Sequence, residues 1–499
     1  MTTTTGNGGY VEGMDRRQRL LMPELLDDYV AEDGEVRFVD AFVDHLNLSE
    51  MGFTHTEPNT EGRPPYNPRD LLKLYIYGYL NQVRSSRKLE RECHRNVEVM
   101  WLMRKLKPDF KTIADFRRDN VSCIRSVFEE FLNLCDQQDL IGGELVGIDG
   151  SKLRAVNSID RNLNLKTLAE KLKRIDEKIQ RYLDEVEEND AADEDTSRLE
   201  AKRKRNVKLK ERVQKLKERM ETYAGLLHKL RESGENEVSL TDPDSRLMKD
   251  RGKLAVCYNA HIAVDSKEHM IVEYDVTNIA PDNVQLSLIS KRTKETLGVE
   301  KLHVTADKGF FSATEIKQCV DNGIKPYILE PKKSTAGKAK SVGIPTPDFY
   351  EDKFQYDKAT DTYICPTGER LDFRTWDRKQ PERLVSRIYR TNACKRCPFF
   401  MTKCTKNRIH GRMIKRWEHE EILEEMKQRI KEEPNKVEVR KTLTEHPFGT
   451  IKRAFNQGYL LLKGLRKVTG EVGFTMLTYN IRRAINILGT KTLLASLRT

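Results

Sequence analysis

Two short apolar runs, each ending in an aspartate close to a glycine, constrain this chain more than any other feature. The first reads Val146, Gly147, Ile148, Asp149, Gly150, Ser151, Lys152. The second reads Leu302, His303, Val304, Thr305, Ala306, Asp307, Lys308, Gly309, Phe310. Such a run, bounded by turn residues, predicts a buried strand with its carboxylate at the tip. If the two strands are neighbours in one sheet, the carboxylates converge. Converging carboxylates repel, so they share a proton or hold a metal ion.

The chain has 499 residues, a length that suggests roughly three domains. Its formal net charge is +11, with 33% of residues charged. That excess favours a polyanionic partner, and nucleic acid is the commonest. No run of 18 apolar residues is present, so no membrane span is expected. Residues 1–13 are polar and lack the basic-then-apolar layout of a signal peptide. The expectation is a cytoplasmic protein with reduced thiols. Of nine cysteines, Cys93, Cys123, Cys135, Cys257 and Cys319 stand alone and read as small core residues.

Residues 14–140 read as a helical domain. Asn67, Pro68, Arg69 and Asp70 open a helix whose stripe is Leu71, Leu72, Tyr75, Ile76 and Tyr79. Arg84, Arg87 and Lys88 follow it, and a further helix from about 111 to 134 carries Arg117 and Arg118. Short helices with basic faces fit a helix-turn-helix-like DNA reader. The plainer alternative is a helical bundle with a solvated basic face.

A mixed α/β sheet of the ribonuclease H-like kind is expected from 141–160, 236–330 and 431–495. Two insertions interrupt it. In the first, 161–235, Leu165, Leu168, Leu172, Ile175, Ile179, Leu183 and Val186 are spaced 3, 4, 3, 4, 4, 3. Leu209, Val213, Leu216, Met220, Tyr223, Leu227 and Leu230 are spaced 4, 3, 4, 3, 4, 3. An acidic linker, 187–195, separates them, so an antiparallel coiled-coil hairpin is expected. Lys202, Arg203, Lys204 and Arg205 fall on its outer surface, most simply as a solvated face. The second insertion, 331–430, opens on a basic run, 332–340, and holds Cys365, Cys394, Cys397 and Cys404. Four thiolates with one CxxC pair suit tetrahedral structural Zn²⁺; free buried thiols are the alternative.

Near the C-terminus, Pro447 belongs in the first turn of a helix. Glu445 is then expected at or just before that helix start, with Lys452 two turns along the same face. Asp149, Asp307 and Glu445 form an all-oxygen set suited to Mg²⁺ or Mn²⁺. Two such ions clamp the attacking and leaving oxygens of a phosphodiester. Lys452 and Arg453 are placed to hold neighbouring phosphates. Asp242 reads as a cap or turn residue, and Asp282 as a helix cap.

Stretches 146–152, 304–310 and 445–452 resemble the DDE transposases of bacterial insertion sequences, in the group with a Y-R-E-K-type C-terminal signature. So do Arg63 to Leu72 and Thr241 to Arg246, and a cysteine insertion recurs in that group. The resemblance spans roughly residues 40 to 490 and implies a cut-and-paste enzyme with Asp149, Asp307 and Glu445 as its metal-binding triad. Lys452 matches the signature lysine. At the arginine position stands Lys441 with Arg440 beside it, and Glu438 replaces the tyrosine. The implied partners are terminal inverted repeats and target DNA, held by a homodimer. The alternatives are a silent transposase remnant that binds DNA and a ribonuclease H-like nuclease without strand transfer.

Overall fold

The computed structural model describes residues 25–57, 64–191, 196–331, 344–378, 384–453, 455 and 457–498. Residues 1–13, the basic run 332–340, Arg63 and the hairpin tip at 192–195 lie outside them. The chain divides into two compact units, Met1–Cys123 with Ile481–Thr499, and Ile124–Asn480.

The first unit is helical: Glu35–His45, Pro68–Leu80, Ser86–Arg95, Val97–Leu102 and Phe110–Asn120. Asn67 caps the second of these by accepting from Arg69 N–H, and Pro68 fills the first turn, where no N–H is needed. Asp109 caps the Phe110–Asn120 helix through Lys111 and Thr112 N–H. The Pro68–Leu80 helix is buried almost all round, because its stripe is flanked by further apolar and aromatic residues. The single helix expected over 111–134 is broken by a 3₁₀ turn, Val121–Cys123. Its continuation, Ile124–Gln137, belongs to the second unit, where Phe128 packs edge-on against Tyr274 at 5.0 Å.

The second unit is built on a six-stranded mixed sheet. Its strands, with two small ones between, are β1 (Leu145–Arg154), β2 (Asn162–Asn164), β3 (Glu237–Ser239), β4 (Arg246–Asp250), β5 (Lys253–Asp265), β6 (Ile271–Thr277), β7 (Leu302–Ala306) and β8 (Ile324–Ile328). β1 lies between β5, antiparallel, and β7, parallel. β8 continues the parallel side beyond β7. On its far edge β5 pairs with β4 along its first half and β6 along its second. β5 and β7 are rich in Val, Ile and Ala, as strands covered on both faces must be. Asn480 satisfies β6 at Ile271, accepting from its N–H at 2.9 Å and donating to its carbonyl at 2.7 Å. β4 has no counterpart in the sequence reading. Asp242, just ahead of it, is fully buried and accepts from Tyr258 OH at 2.7 Å and Gly464 N–H at 3.0 Å. It is the turn residue expected, its carbonyl accepting from Ser245 N–H at 3.1 Å, and its buried carboxylate is an internal tie as well.

The hairpin is two helices, Leu165–Ala191 and Thr196–Ser233. Leu168, Ile175, Ile179, Val213, Tyr223 and Leu230 form its seam, and β2 pairing with β3 closes its base. The expected linker is helical as far as Ala191. Leu165 is exposed. Arg203, Lys204 and Arg205 face solvent, with Arg205 paired to Glu185 across the hairpin.

The cysteine segment carries its own antiparallel sheet: β9 (Gln355–Asp357), β10 (Thr362–Ile364), β11 (Arg370–Asp377), β12 (Ser386–Arg390) and β13 (Met413–Trp417), joined in chain order. Its core includes Phe354, Leu371, Tyr389 and Ile414. Helices Glu420–Glu432, Asn435–Glu438 and Arg440–Arg453, with the Leu465–Leu488 helix as far as Asn480, complete the unit's path. The five solitary cysteines are all buried. No described helix is long and apolar enough to cross a membrane.

Candidate active site

β1 and β7 run side by side, with Ile148 opposite Ala306, so Asp149 and Asp307 are the next pair along. Neighbouring strands lie about 4.8 Å apart, and the two aspartates stand side by side just past the last parallel pair of β1 and β7, at the carboxyl end of β7. Asp149 sits within β1 and accepts from Gly150 N–H at 2.8 Å. Asp307 is the residue before a 3₁₀ turn, Lys308–Phe310, closed by Phe310 N–H to its carbonyl at 2.9 Å. Burial pushes the Asp149 carboxyl up to about 6; the Gly150 N–H and Arg440 oppose this, and Asp307 and Asp282 add to it. Arg440 stands 3.9 Å from Asp307. The site is thus a partly buried concentration of negative charge with one guanidinium at its border.

Glu445 does not stand at a helix start. The helix runs unbroken from Arg440 to Arg453 with Pro447 inside it. Proline there forfeits one helical hydrogen bond. Leu443, Thr444, Pro447, Phe448 and Ile451 are buried on one stripe, and that packing holds the helix together. The helix lies against β1 at Gly147: a Cβ there would meet Leu443 Cβ and Thr444 Cγ2 at 3.0 Å. Gly147 and Asp149 point to the same side of the strand. Glu445 therefore rides, exposed, on the helix that crosses the Asp149 face, next to the Thr444 contact. Among the described residues no three His, Cys, Asp or Glu side chains stand at metal-ligand spacing. Oxygen-only donors that repel one another, one with a raised pKa, nevertheless match the chemistry of a divalent-ion site.

Asp282, read from the sequence as a helix cap, has a different task. It begins a 3₁₀ turn but caps nothing. Its Oδ1 takes Lys152 Nζ at 2.9 Å, Asn259 Nδ2 at 2.7 Å and His261 Nε2 at 3.1 Å. Burial works to raise this carboxyl, yet those three hydrogen bonds outweigh it and hold it well below the usual range. The only sequence signal was a lysine three residues after Asp149, which nothing local explained.

The basic residues divide. Arg87, Lys88 and Arg118 are exposed, Arg87 stacked on Phe110 and Arg118 paired with Asp115 and Asp119. Arg84 and Arg117 are buried, which corrects their reading as DNA contacts. Arg117 donates to the Arg84 carbonyl at 3.2 Å and lies over the Tyr75 ring. The amphipathic pattern of a short helix cannot show which basic side chain a neighbouring helix will cover. Lys441 and Arg453 are exposed. Lys452 is half-buried; burial lowers its pKa, and Asp250 and Asp149 are among the acids that oppose this.

Cys365, Cys394, Cys397 and Cys404 line one cavity of about 20 Å³. Burial raises Cys394 and Cys404, the latter to about 11, and the other thiols of the group reinforce the shift. Gly411, at φ +68°, presses against Cys394, where a Cβ would meet Cβ at 2.7 Å and Sγ at 3.1 Å.

Two family models match the chain. One, described as a transposase domain (DUF772), matches residues 24–119, and the other, the transposase DDE domain, matches 364–485. The two matches support a DDE transposase. The DDE match contains the cysteine cluster, Arg440, Glu445 and Lys452. This DNA transposase is accordingly an enzyme of DNA cleavage and strand transfer. A structure of the piggyBac transposase synaptic complex with hairpin DNA is similar at 10% identity and a TM-score of 0.30, covering 93% of this chain and 79% of that one. No curated protein matches.

Proposed function

We propose that this transposase serves a bacterial insertion sequence, cutting at the element's terminal inverted repeats and joining the freed 3′ ends to target DNA. The observation that carries the reading is the placement of Asp149 and Asp307 side by side where the parallel pairing of β1 with β7 ends, beneath the helix that bears Glu445. The strand order β6, β5, β1, β7, β8, with β5 antiparallel to the other four, supports a ribonuclease H-like core.

Asp149, Asp307 and Glu445 would hold Mg²⁺ or Mn²⁺, with Glu445 brought in by a side-chain or helix adjustment when DNA arrives. The bound ions supply Lewis acidity to the attacking and leaving oxygens. Arg440, Lys441, Lys452 and Arg453 lie on the same helix and hold the phosphates on either side of the scissile bond. Arg87, Lys88 and Arg118 present a basic surface on the N-terminal unit for the inverted repeat. Two ends must be joined together, which calls for a homodimer on DNA. The four clustered thiols suit a structural Zn²⁺. The absence of a membrane-length apolar helix among the described residues is compatible with a cytoplasmic site of action.

The test is incubation with end-containing duplex DNA and Mn²⁺, scoring cut and joined products separately. Asp149→Ala, Asp307→Ala and Glu445→Ala are each expected to abolish both while DNA binding survives. Cut DNA without joined product would make the enzyme a nuclease; undiminished cleavage by the Ala variants would remove the acidic set.

A further inference from the structure

Behind Asp149, on the opposite side of β1, lies a polar knot that the cleavage chemistry has not used. Lys152 comes from β1, and Asn259 and His261 from β5, opposite Lys152 and Gly150 respectively. All three converge on one oxygen of Asp282. Asn259 and His261 are 0% and 1% exposed, so these bonds are shielded from water. Asn259 Nδ2 also reaches the Ile279 carbonyl at 3.1 Å, which anchors the approach to Asp282. His261 Nδ1 and Asn259 Oδ1 are buried without a hydrogen-bond partner. Orphaned buried polar atoms are costly and call for an explanation.

The knot touches both aspartates' supports. Gly150 follows Asp149, and a Cβ on it would stand 2.9 Å from Asp282 Oδ1 and from His261 Cδ2. Only a glycine lets the knot seat against the β1 backbone there. On the other side, His261 meets Phe310 edge-on at 5.9 Å. Phe310 closes the turn that Asp307 begins. One carboxylate thereby connects the strand of Asp149 with the turn of Asp307. It also neutralises the Lys152 ammonium, which would otherwise add positive charge beside the place where a cation is wanted.

We propose that Asp282 is a positioning residue for divalent-ion binding, acting through Lys152, His261 and Asn259 to set the separation of Asp149 and Asp307 and to cancel the Lys152 charge. This rests on the reading of Asp149 and Asp307 as metal-holding residues. Residues that orient ligands from behind typically change metal affinity by about 10- to 100-fold when lost.

The test uses the full chain. Mn²⁺ binding is followed by electron paramagnetic resonance without DNA, and the Mn²⁺ dependence of cleavage is measured separately. Asp282→Asn is expected to raise the Mn²⁺ needed for half-occupancy by about 10-fold, with the cost falling on half-saturation rather than on the rate at saturating Mn²⁺. Adding Lys152→Met to that variant is expected to recover part of the loss, which a simple packing defect would not allow. Gly150→Ala keeps every charge but crowds the knot, and should weaken Mn²⁺ in the same direction; it decides the matter if the Asn variant does not fold. Parent-like Mn²⁺ binding in both variants would overturn the proposal. Asp149→Asn and Asp307→Asn run alongside: if they too bind Mn²⁺ like the parent, the metal-site reading itself fails. If only they lose it, the positioning role alone is wrong.

Discussion

Asp149 carries a proton more tightly in the folded protein than its ordinary value of 3.8 allows, up to about 6. The sign follows from linkage: a carboxyl raised on folding favours the folded state while protonated and loses that contribution as pH climbs through the folded value. The metal-free transposase should therefore lose stability between about pH 4 and pH 6 on account of this residue. Denaturant melts at the two ends of that window, compared with Asp149→Asn, check it; an unchanged difference in the variant would show that another group is responsible. Bound divalent ion reverses the preference by demanding the anion, so apparent ion affinity should rise over the same window. Arg84 and Arg117 teach a different lesson at this scale. Their charge suggested DNA, and their burial makes them internal ties of the helical unit.

At the level of elements, the decisive contact is the Arg440–Arg453 helix on β1. Gly147 allows it, because any side chain would strike Leu443 and Thr444. Gly147→Ala should cost about 1–3 kcal/mol in chemical denaturation, the usual range for overpacking. It should also lower cleavage by lifting Glu445 and Arg440 from Asp149 and Asp307; full activity in a destabilised variant would disconnect the helix from catalysis. The cysteine segment offers an independent test. If its four thiols hold zinc, purified protein contains about one ion per chain by atomic absorption, four thiolates making one tetrahedral site. Cys394→Ser with Cys397→Ser should lose it and lower the melting temperature. Four thiols freely titratable in the native protein would mean no metal.

For the whole molecule, the net charge of +11 points to binding dominated by phosphate contacts. Affinity for end-containing duplex should fall by roughly 10³-fold between 50 and 200 mM salt, the size expected for about six such contacts. Fluorescence anisotropy across that range measures the slope, and a flat response would contradict a phosphate-led interface. The charge is unevenly used. Exposed basic residues lie on the N-terminal helices, on the hairpin surface and along the Arg440–Arg453 helix, whereas the sheet interior is apolar apart from its paired and hydrogen-bonded groups.

Local and periodic features were legible in the chain alone. Apolar runs marked β1 and β7, though β1 continues past Asp149 to Arg154 and only Asp307 lies at a strand end, and 3–4 spacing marked the hairpin down to most of its seam residues. Asn67 announced its helix start through chemistry confined to neighbouring residues. Features that depend on distant partners emerged only on folding. Pro447 is tolerated inside a helix because the stripe from Leu443 to Ile451 is buried, and buried packing outweighs one missing hydrogen bond. Asp282 becomes an acceptor for three donors because β1 and β5, about a hundred residues apart in sequence, pair in one particular register. Hydrogen-bond geometry and burial arise only once chain segments meet, so a residue's type can suggest its chemistry while its neighbours alone assign its task.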